Sequence, residues 1–250
     1  MSLLVGKIKI GNQINFVTPS ENEDEMYVLS GNFNKGFTVT NELIKNKMVE
    51  YLIPFSPSKI FGIGRNYNTE DGPGLSEIDF FLMAENALLP HKKELILSKN
   101  IGSLIPEGEL GVIISKKIKN VTPLEAKNAI LGYTICNDFS ARDINPSRPN
   151  VAIKKSTDGL LPTGPYVLLE NNLLNFEIKT YLNDVLIQEG NSLNMINKIP
   201  EIISFISQFI TLKPFDLIAT GTPGPKIKVS RGNILKVSIE GIGTLETALV

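Results

Sequence analysis

Apolar positions along this chain fall mostly into short strand-like runs, with three stretches that carry helical signals instead. Val5 to Ile10 alternates apolar and polar residues, Gly11-Asn12 supplies a turn, and Ile14 to Val17 continues as a second strand. From Thr40 to Leu52 the apolar residues Leu43, Ile44, Met48 and Leu52 sit at roughly helical spacing, and Asn41 is placed to cap the helix expected there. Pro54 and Pro57 then interrupt the pattern. Further strands are expected at Lys59 to Gly64, Glu107 to Ile114, Tyr133 to Cys136 and Tyr166 to Leu169. Phe176 to Leu182 and Val185 to Gln188 read as strands joined at Asn183-Asp184. The best-marked helix is Thr122 to Gly132, with a Thr122/Glu125 capping box, Pro123 in the first turn and Gly132 at the C-terminal cap. Pro200 to Leu212 places Ile202, Ile203, Phe205, Ile206, Phe209 and Ile210 at helical spacing, as a core-facing helix does. Leu217-Ile218-Ala219 is one more strand, and Leu235 to Leu249 forms one or two final strands around Gly241 and Gly243. The pattern predicts a chain rich in strands, with a small β-rich unit at residues 1–56 and a larger unit at 57–250.

Composition narrows the possible partners. The 250 residues are 42% hydrophobic and 20% charged, which is ordinary for a globular chain. A formal net charge of -1 leaves no electrostatic footprint for nucleic acid, and Lys116-Lys117 and Lys154-Lys155 are too short to create one. No apolar run reaches the roughly 18 residues of a membrane helix, and no secretory signal is visible. The single cysteine, Cys136, cannot form an internal disulfide, so a cytoplasmic protein is expected in which Cys136 is a small buried hydrophobe. The single histidine excludes histidine-rich zinc sites, and His91, between Pro90 and Lys92-Lys93, reads as a surface residue. The polar run Ser20 to Glu25 reads as a solvated loop.

Candidate chemistry centres on Glu107-Gly108-Glu109. On a strand, residues two apart share a face at roughly 6.5 Å, so the two glutamates project together while Gly108 faces the other way. Such a pair is either solvated on an open sheet face or bridged by a hard divalent cation such as Mg²⁺. The helix after this strand returns the chain to the sheet, where Asp138 offers a third carboxylate. Gly62-x-Gly64 is not a dinucleotide loop, because Tyr67 occupies the third position and no amphipathic helix follows. The turn Thr220 to Gly224 lacks the ending of a phosphate-binding loop. Residues 68–79, with Asn68, Gly72, Pro73 and Gly74, read as a loop able to cover a site.

Taken in order, five stretches resemble the fumarylacetoacetate hydrolase family, close to its 2-hydroxyhepta-2,4-diene-1,7-dioate isomerase and acylpyruvase branch. They are Gly62 to Tyr67, Glu107 to Leu110, Gly132-Tyr133-Thr134 with Asn137 to Asp143, Pro162 to Pro165, and Thr220 to Pro223, together spanning roughly residues 59–250. The resemblance implies an α+β fold, with a β-rich catalytic domain of mixed sheets and a few helices, a small N-terminal domain, and a homodimer. It implies Mg²⁺ (or Mn²⁺ or Ca²⁺) at Glu107, Glu109 and Asp138, with Lys155 beside the metal and Lys154 facing solvent. It implies a small carboxylic acid substrate held by Arg142, Asn145, Tyr67 and Thr222. The reaction expected is isomerisation, decarboxylation or another lyase step on a 2-oxo acid or 2-hydroxy-dienedioate, through an enolate.

The chain also departs from the family pattern. Hydrolytic relatives carry a lid histidine where this chain has Glu70, so an acylpyruvate-type hydrolase would need Glu70 as its general base. A non-catalytic metal- or ligand-binding relative is the other alternative. Met83 follows Phe81-Leu82 where relatives have lysine, and Phe215 replaces a glycine usual before Asp216, a structural variation.

Overall fold

The computed structural model describes residues 2–22, 24–98, 101, 103–141, 144, 150–172 and 174–250. Arg142, Asp143 and Asn145 lie outside the described residues. The N-terminal part is a run of hairpins: β1 (Leu3–Ile10), β2 (Gln13–Pro19), β3 (Glu25–Asn32), β4 (Gly36–Lys45) and the short β5 (Glu50–Leu52). Ile10 pairs with Gln13 across Gly11-Asn12, and Gly11 takes the positive φ that such a tight turn requires. The helix expected from Thr40 to Leu52 is absent. Residues up to Lys45 pair with β3, Ile44 opposite Met26, and only Asn46–Met48 forms a single 3-10 turn. Thr38, Val39 and Thr40 favour extended backbone, and a ladder to β3, interrupted by one bulge between Tyr27 and Leu29, outweighs the accidental helical spacing of Leu43, Ile44, Met48 and Leu52.

The remaining elements are β6 (Ile60–Gly64), β7 (Asp79–Met83), β8 (Leu88–Pro90), β9 (Gly108–Ile114), α1 (Pro123–Lys127), β10 (Ile130–Asn137), α2 (Val151–Ser156), β11 (Leu161–Thr163), β12 (Tyr166–Leu169), β13 (Glu177–Leu182), β14 (Val185–Asn191), α3 (Ile199–Phe209), β15 (Leu217–Ala219), β16 (Ile234–Ile239) and β17 (Gly243–Ala248). Among the described residues they build a mixed 13-stranded sheet, with the main path β4-β3-β2-β1-β12-β10-β9-β15-β6-β7, and a 4-stranded sheet ordered β14-β13-β16-β17. β1 to β5 gather a small cluster around Ile8, Val17, Met26 and Tyr51, and β1 also pairs with β12, so these strands extend the larger sheet. No described helix is long and apolar enough to cross a membrane.

β9 is buried along its whole length between β10 and β15. One face carries Leu110, Val112 and Ile114 into the main core with Ile202, Ile203 and Ile206 of α3 and Ile178 and Val237 of the small sheet. Each fully buried side chain of this size contributes roughly 1.5–3 kcal/mol. The opposite face carries Ile113 into a second cluster with Phe55, Met83 and Leu217. α1 has the expected capping box but ends at Lys127, and Gly132 lies inside β10 rather than at a helix cap. A Cβ on Gly132 would strike the carbonyl of Leu168 in β12, so glycine there permits close strand packing.

Two side chains join distant segments. Phe215 adopts a left-handed φ of 70°, and its ring meets Phe33 of the β3–β4 turn at 5.4 Å, edge to face. Beside it the buried Asp216 carboxylate accepts hydrogen bonds from Ser58 Oγ and from the backbone N–H groups of Lys59 and Lys213. His91 is not a surface residue: it is buried, its ring packs edge to face on Tyr51 at 4.6 Å, and its Nδ1 accepts the Glu246 N–H at 3.0 Å. Lys92 and Lys93 made the segment look solvated, but the imidazole turns inward between β5 and β17.

Burial, aided by Lys92, lowers the His91 pKa to about 3 from its ordinary 6.5. The neutral ring therefore contributes stability that is complete above about pH 6.5 and is lost progressively as pH falls toward 3. Chemical denaturation should show about 2 kcal/mol less of a fall between pH 6.5 and 5 in His91→Asn than in the parent. Parallel pH profiles for the two proteins would contradict this placement.

Candidate active site

The cavity that matters lies where β9, β10, α2 and the turn after β15 converge. Glu107 precedes β9 and Glu109 lies within it, on the face opposite Leu110. Gly108 points the other way, toward the small sheet, where a Cβ would run into Thr180 and Val237. Asp138 follows β10 directly, and its N–H donates to the Glu107 carbonyl at 2.8 Å, which locks the two strand ends together. Asn137 Oδ1 accepts the Glu107 N–H at 3.0 Å. As a result Glu107, Glu109 and Asp138 each offer a carboxylate oxygen within 4.8 Å of the others, and all three residues are buried.

Lys155 enters from α2, whose first turn is capped by the Asn150 side chain. Its Nζ lies 2.6 Å from Glu107 Oε2 and 2.9 Å from both Asp138 Oδ2 and the Asp138 carbonyl. Lys154 is half-buried and takes no part. Ser140 Oγ donates to the other Glu107 oxygen at 3.1 Å, and Glu109 Oε2 accepts the Gly221 N–H at 2.8 Å. Gly221 has φ of 97°, and a side chain there would press against Asn66. Asn66 in turn spans two segments, donating to the Asn197 and Thr220 carbonyls and accepting the Asn197 N–H.

The electrostatics follow from burial and mutual proximity. Burial, then Asp138, raises the Glu109 carboxyl well above its usual range, and Lys155 only partly opposes this. Burial likewise pushes Asp138 up to about 6 against the pull of Lys155. Burial opposes the charge on Lys155, but Asp138, Glu107 and Glu109 outweigh it and hold the ammonium above the ordinary lysine range. A donor set of three hard oxygens in one buried spot suits a divalent cation such as Mg²⁺. Asp138 Oδ1 is buried without a hydrogen-bond partner among the described residues, as an oxygen kept for a cation would be. The residues present fit the expected ion.

The cavity holds about 370 Å³ and runs outward from the carboxylates. Tyr67 and Thr222 both line it, and each has a buried hydroxyl without a partner among the described residues. Burial, then Glu109, raises the Tyr67 phenol, so its O–H remains a donor. Glu70 does not join them. Thr69 and Gly72 exchange backbone hydrogen bonds at 3.1 and 3.0 Å, and the two residues between them diverge. Asp71 lines the cavity, while Glu70 is exposed and lines a separate outer groove with Leu186 and Pro223. Arg142 and Asn145 lie outside the described residues. Sequence reasoning missed Ser140, Phe81, Gln188, Asp71 and Lys226 among the lining residues. Ser140 lay inside a noted motif, whereas Gln188 and Lys226 arrive from distant hairpins and turns with no local signal.

Lys155→Met should destabilise chelator-treated protein by about 3 kcal/mol, because it leaves the buried carboxylates unbalanced. Adding Mg²⁺ should then raise the melting temperature of the variant more than that of the parent. Equal shifts in the two proteins would contradict the role of Lys155 as the balancing charge.

Comparison with known proteins places the chain among relatives. Residues 59–250 match the family described as fumarylacetoacetate (FAA) hydrolase, C-terminal. Over 204 residues the chain is 35% identical to the 4-hydroxyphenylacetate degradation bifunctional isomerase/decarboxylase of Salmonella dublin, a match covering 76% of this chain and 46% of the relative. The chain thus spans about half the length of that curated relative. The structure is similar to 5-carboxymethyl-2-hydroxymuconate delta-isomerase from Mycobacterium smegmatis, with TM-score 0.88, 27% identity and 99% of each chain covered. It is equally similar to 2-hydroxyhepta-2,4-diene-1,7-dioate isomerase from Mycobacterium marinum, with TM-score 0.88, 28% identity, and 99% and 98% of the chains covered.

Proposed function

The chain belongs to the fumarylacetoacetate hydrolase family, and we propose that it is a divalent-metal-dependent enzyme acting on a small 2-oxo acid or 2-hydroxy-dienedioate by isomerase or decarboxylase/lyase chemistry. The observation that carries this reading is the convergence of Glu107, Glu109 and Asp138 beside Lys155 at the closed end of a cavity. A Mg²⁺, Mn²⁺ or Ca²⁺ ion held by these carboxylates would supply a Lewis acid for the carboxylate and 2-oxo group of a bound acid, favouring its enolate form.

The chain's own residues do the rest. Lys155 keeps its proton and places positive charge where an oxyanion develops. Tyr67 and Thr222 present hydroxyls to the bound acid from opposite elements of the cavity. Phe81, whose ring lies 5.6 Å from Lys155 Nζ, and Ile63 and Ile105 line the cavity with apolar surface that limits water. In this reading Arg142 and Asn145 also contact the substrate, and the enzyme works as a homodimer.

Hydrolysis needs a base to activate water, and Glu70 lies outside the cavity, exposed to solvent. Isomerisation and decarboxylation need no activated water, isomerisation relocating a proton within the bound acid, so the placement of Glu70 outside the cavity supports them.

Calorimetric titration tests the reading. Oxalate, a planar mimic of the enolate, should bind Mn²⁺-loaded protein and not chelator-treated protein. Glu107→Gln should lower Mn²⁺ affinity by about 100-fold, and Glu70→Gln should leave both titrations within about twofold. Metal-independent oxalate binding, or unchanged Mn²⁺ affinity in Glu107→Gln, would overturn the proposal.

A further inference from the structure

Glu107 lies just outside β9, yet its main chain is held on both sides. One side faces the end of β10: Asn137 Oδ1 accepts the Glu107 N–H at 3.0 Å, and the Glu107 carbonyl accepts the Asp138 N–H at 2.8 Å. The other side faces a single carboxamide. Gln188 of β14 donates from Nε2 to the Pro106 carbonyl at 3.1 Å, and its Oε1 accepts the Gly108 N–H at 3.4 Å. The two peptide groups that flank the Glu107 Cα therefore have all four of their polar atoms paired. The same Nε2 also donates to the Pro225 carbonyl at 2.8 Å, in the segment that follows Thr222. We propose that Gln188 is a positioning residue that fixes Glu107 relative to the turn from Thr222 to Pro225, so that a ligand chelated at the carboxylates meets the Thr222 hydroxyl already in place.

This inference rests on the chelating role proposed for Glu107, and it adds what aligns that side chain with the rest of the cavity. The chemistry of position 188 is narrow. Its contacts require two donors and one acceptor at the end of one side chain, which is the inventory of a carboxamide. A glutamate would set oxygen against two carbonyls, and a methionine of similar shape would leave three backbone groups unpaired. Gln188 is buried, so water is a poor substitute for those contacts.

β14 is shaped for this reach. Thr180 of β13 pairs with Gln188 and Tyr181 pairs with Leu186, so Ile187 is an extra residue in β14. Such a bulge re-aims the side chains beside it, and here Leu186 is exposed while Gln188, two residues on, is buried. Two glycines let the partners close on the carboxamide. A Cβ on Gly108 would strike Thr180, opposite Gln188, and a Cβ on Gly224 would strike Gln188 itself. A Cβ on Gly190, also in β14, would strike Pro223. The turn thus rests on β14 at two points, and Gln188 is the point joined to Glu107.

The test is calorimetry with Mn²⁺ and then oxalate on the parent, Gln188→Met, Thr222→Val and the double variant. Gln188→Met should lower Mn²⁺ affinity about tenfold and, on Mn²⁺-saturated protein, oxalate affinity about fivefold. Thr222→Val should cost about fivefold in oxalate affinity in the parent and under about twofold in the Gln188→Met background, where the hydroxyl is no longer held in place. Tyr67→Phe, on a segment pinned through Asn66, should cost the same in both backgrounds. Should Gln188→Met not fold, Gln188→Asn, which keeps the carboxamide with one methylene less of reach, carries the same cycle. A lower melting temperature with Mn²⁺ and oxalate affinities within about twofold of the parent would reduce Gln188 to a packing contact and overturn the proposal. Additive effects of Gln188→Met and Thr222→Val would overturn it equally. Failure of the parent to bind Mn²⁺ would overturn the chelating role of Glu107 as well.

Discussion

Three carboxylates buried within reach of one another are a cost that the rest of this structure is arranged to meet. Lys155 balances one charge through contacts of 2.6 and 2.9 Å, and Ser140 and the Gly221 N–H satisfy two further oxygens. Among the described residues these partners leave three carboxylates facing one ammonium, and an Asp138 oxygen with no hydrogen-bond partner. A divalent cation would meet both at once. The fold around the site is in this sense a cage of three carboxylates that a divalent cation would fit.

The cage is made by strand ends rather than by a loop. β9 and β10 pair over their full length, so the residue before β9 and the residue after β10 are brought together and joined by a 2.8 Å backbone hydrogen bond. Behind them β9 is buried on both faces, which leaves its acidic end little freedom to relax. Asn66 and Thr220 tie the neighbouring strand ends to the same place, Thr220 through its N–H and its hydroxyl to the Leu110 carbonyl. Rigid elements set the floor, and the mouth is formed by turns at 69–72 and 223–226.

Much of this was legible from local pattern. The Glu107-x-Glu109 spacing on an apolar strand, the turns at Gly11-Asn12 and Asn183-Asp184, and the core face of α3 all follow from periods and turn chemistry that act over a few residues. What was misread depends on partners distant in sequence. Thr40 to Leu52 became strand because β3 offers a ladder, and His91 was drawn inward by Tyr51 and the Glu246 N–H. Asp71 faces the cavity and Glu70 an outer groove, because a two-residue turn sends neighbours to opposite sides. Lys226 and Gln188 reach the cavity from separate segments, and a single sequence carries no mark of that convergence.

Anomalous diffraction from crystals grown with Mn²⁺ and oxalate tests the central claim most directly. One strong peak bonded to Glu107, Glu109 and Asp138, with oxalate chelated to it on the side of Tyr67 and Thr222, is the result this account requires. A manganese peak elsewhere, or oxalate bound in the cavity without a metal between it and the carboxylates, would contradict it.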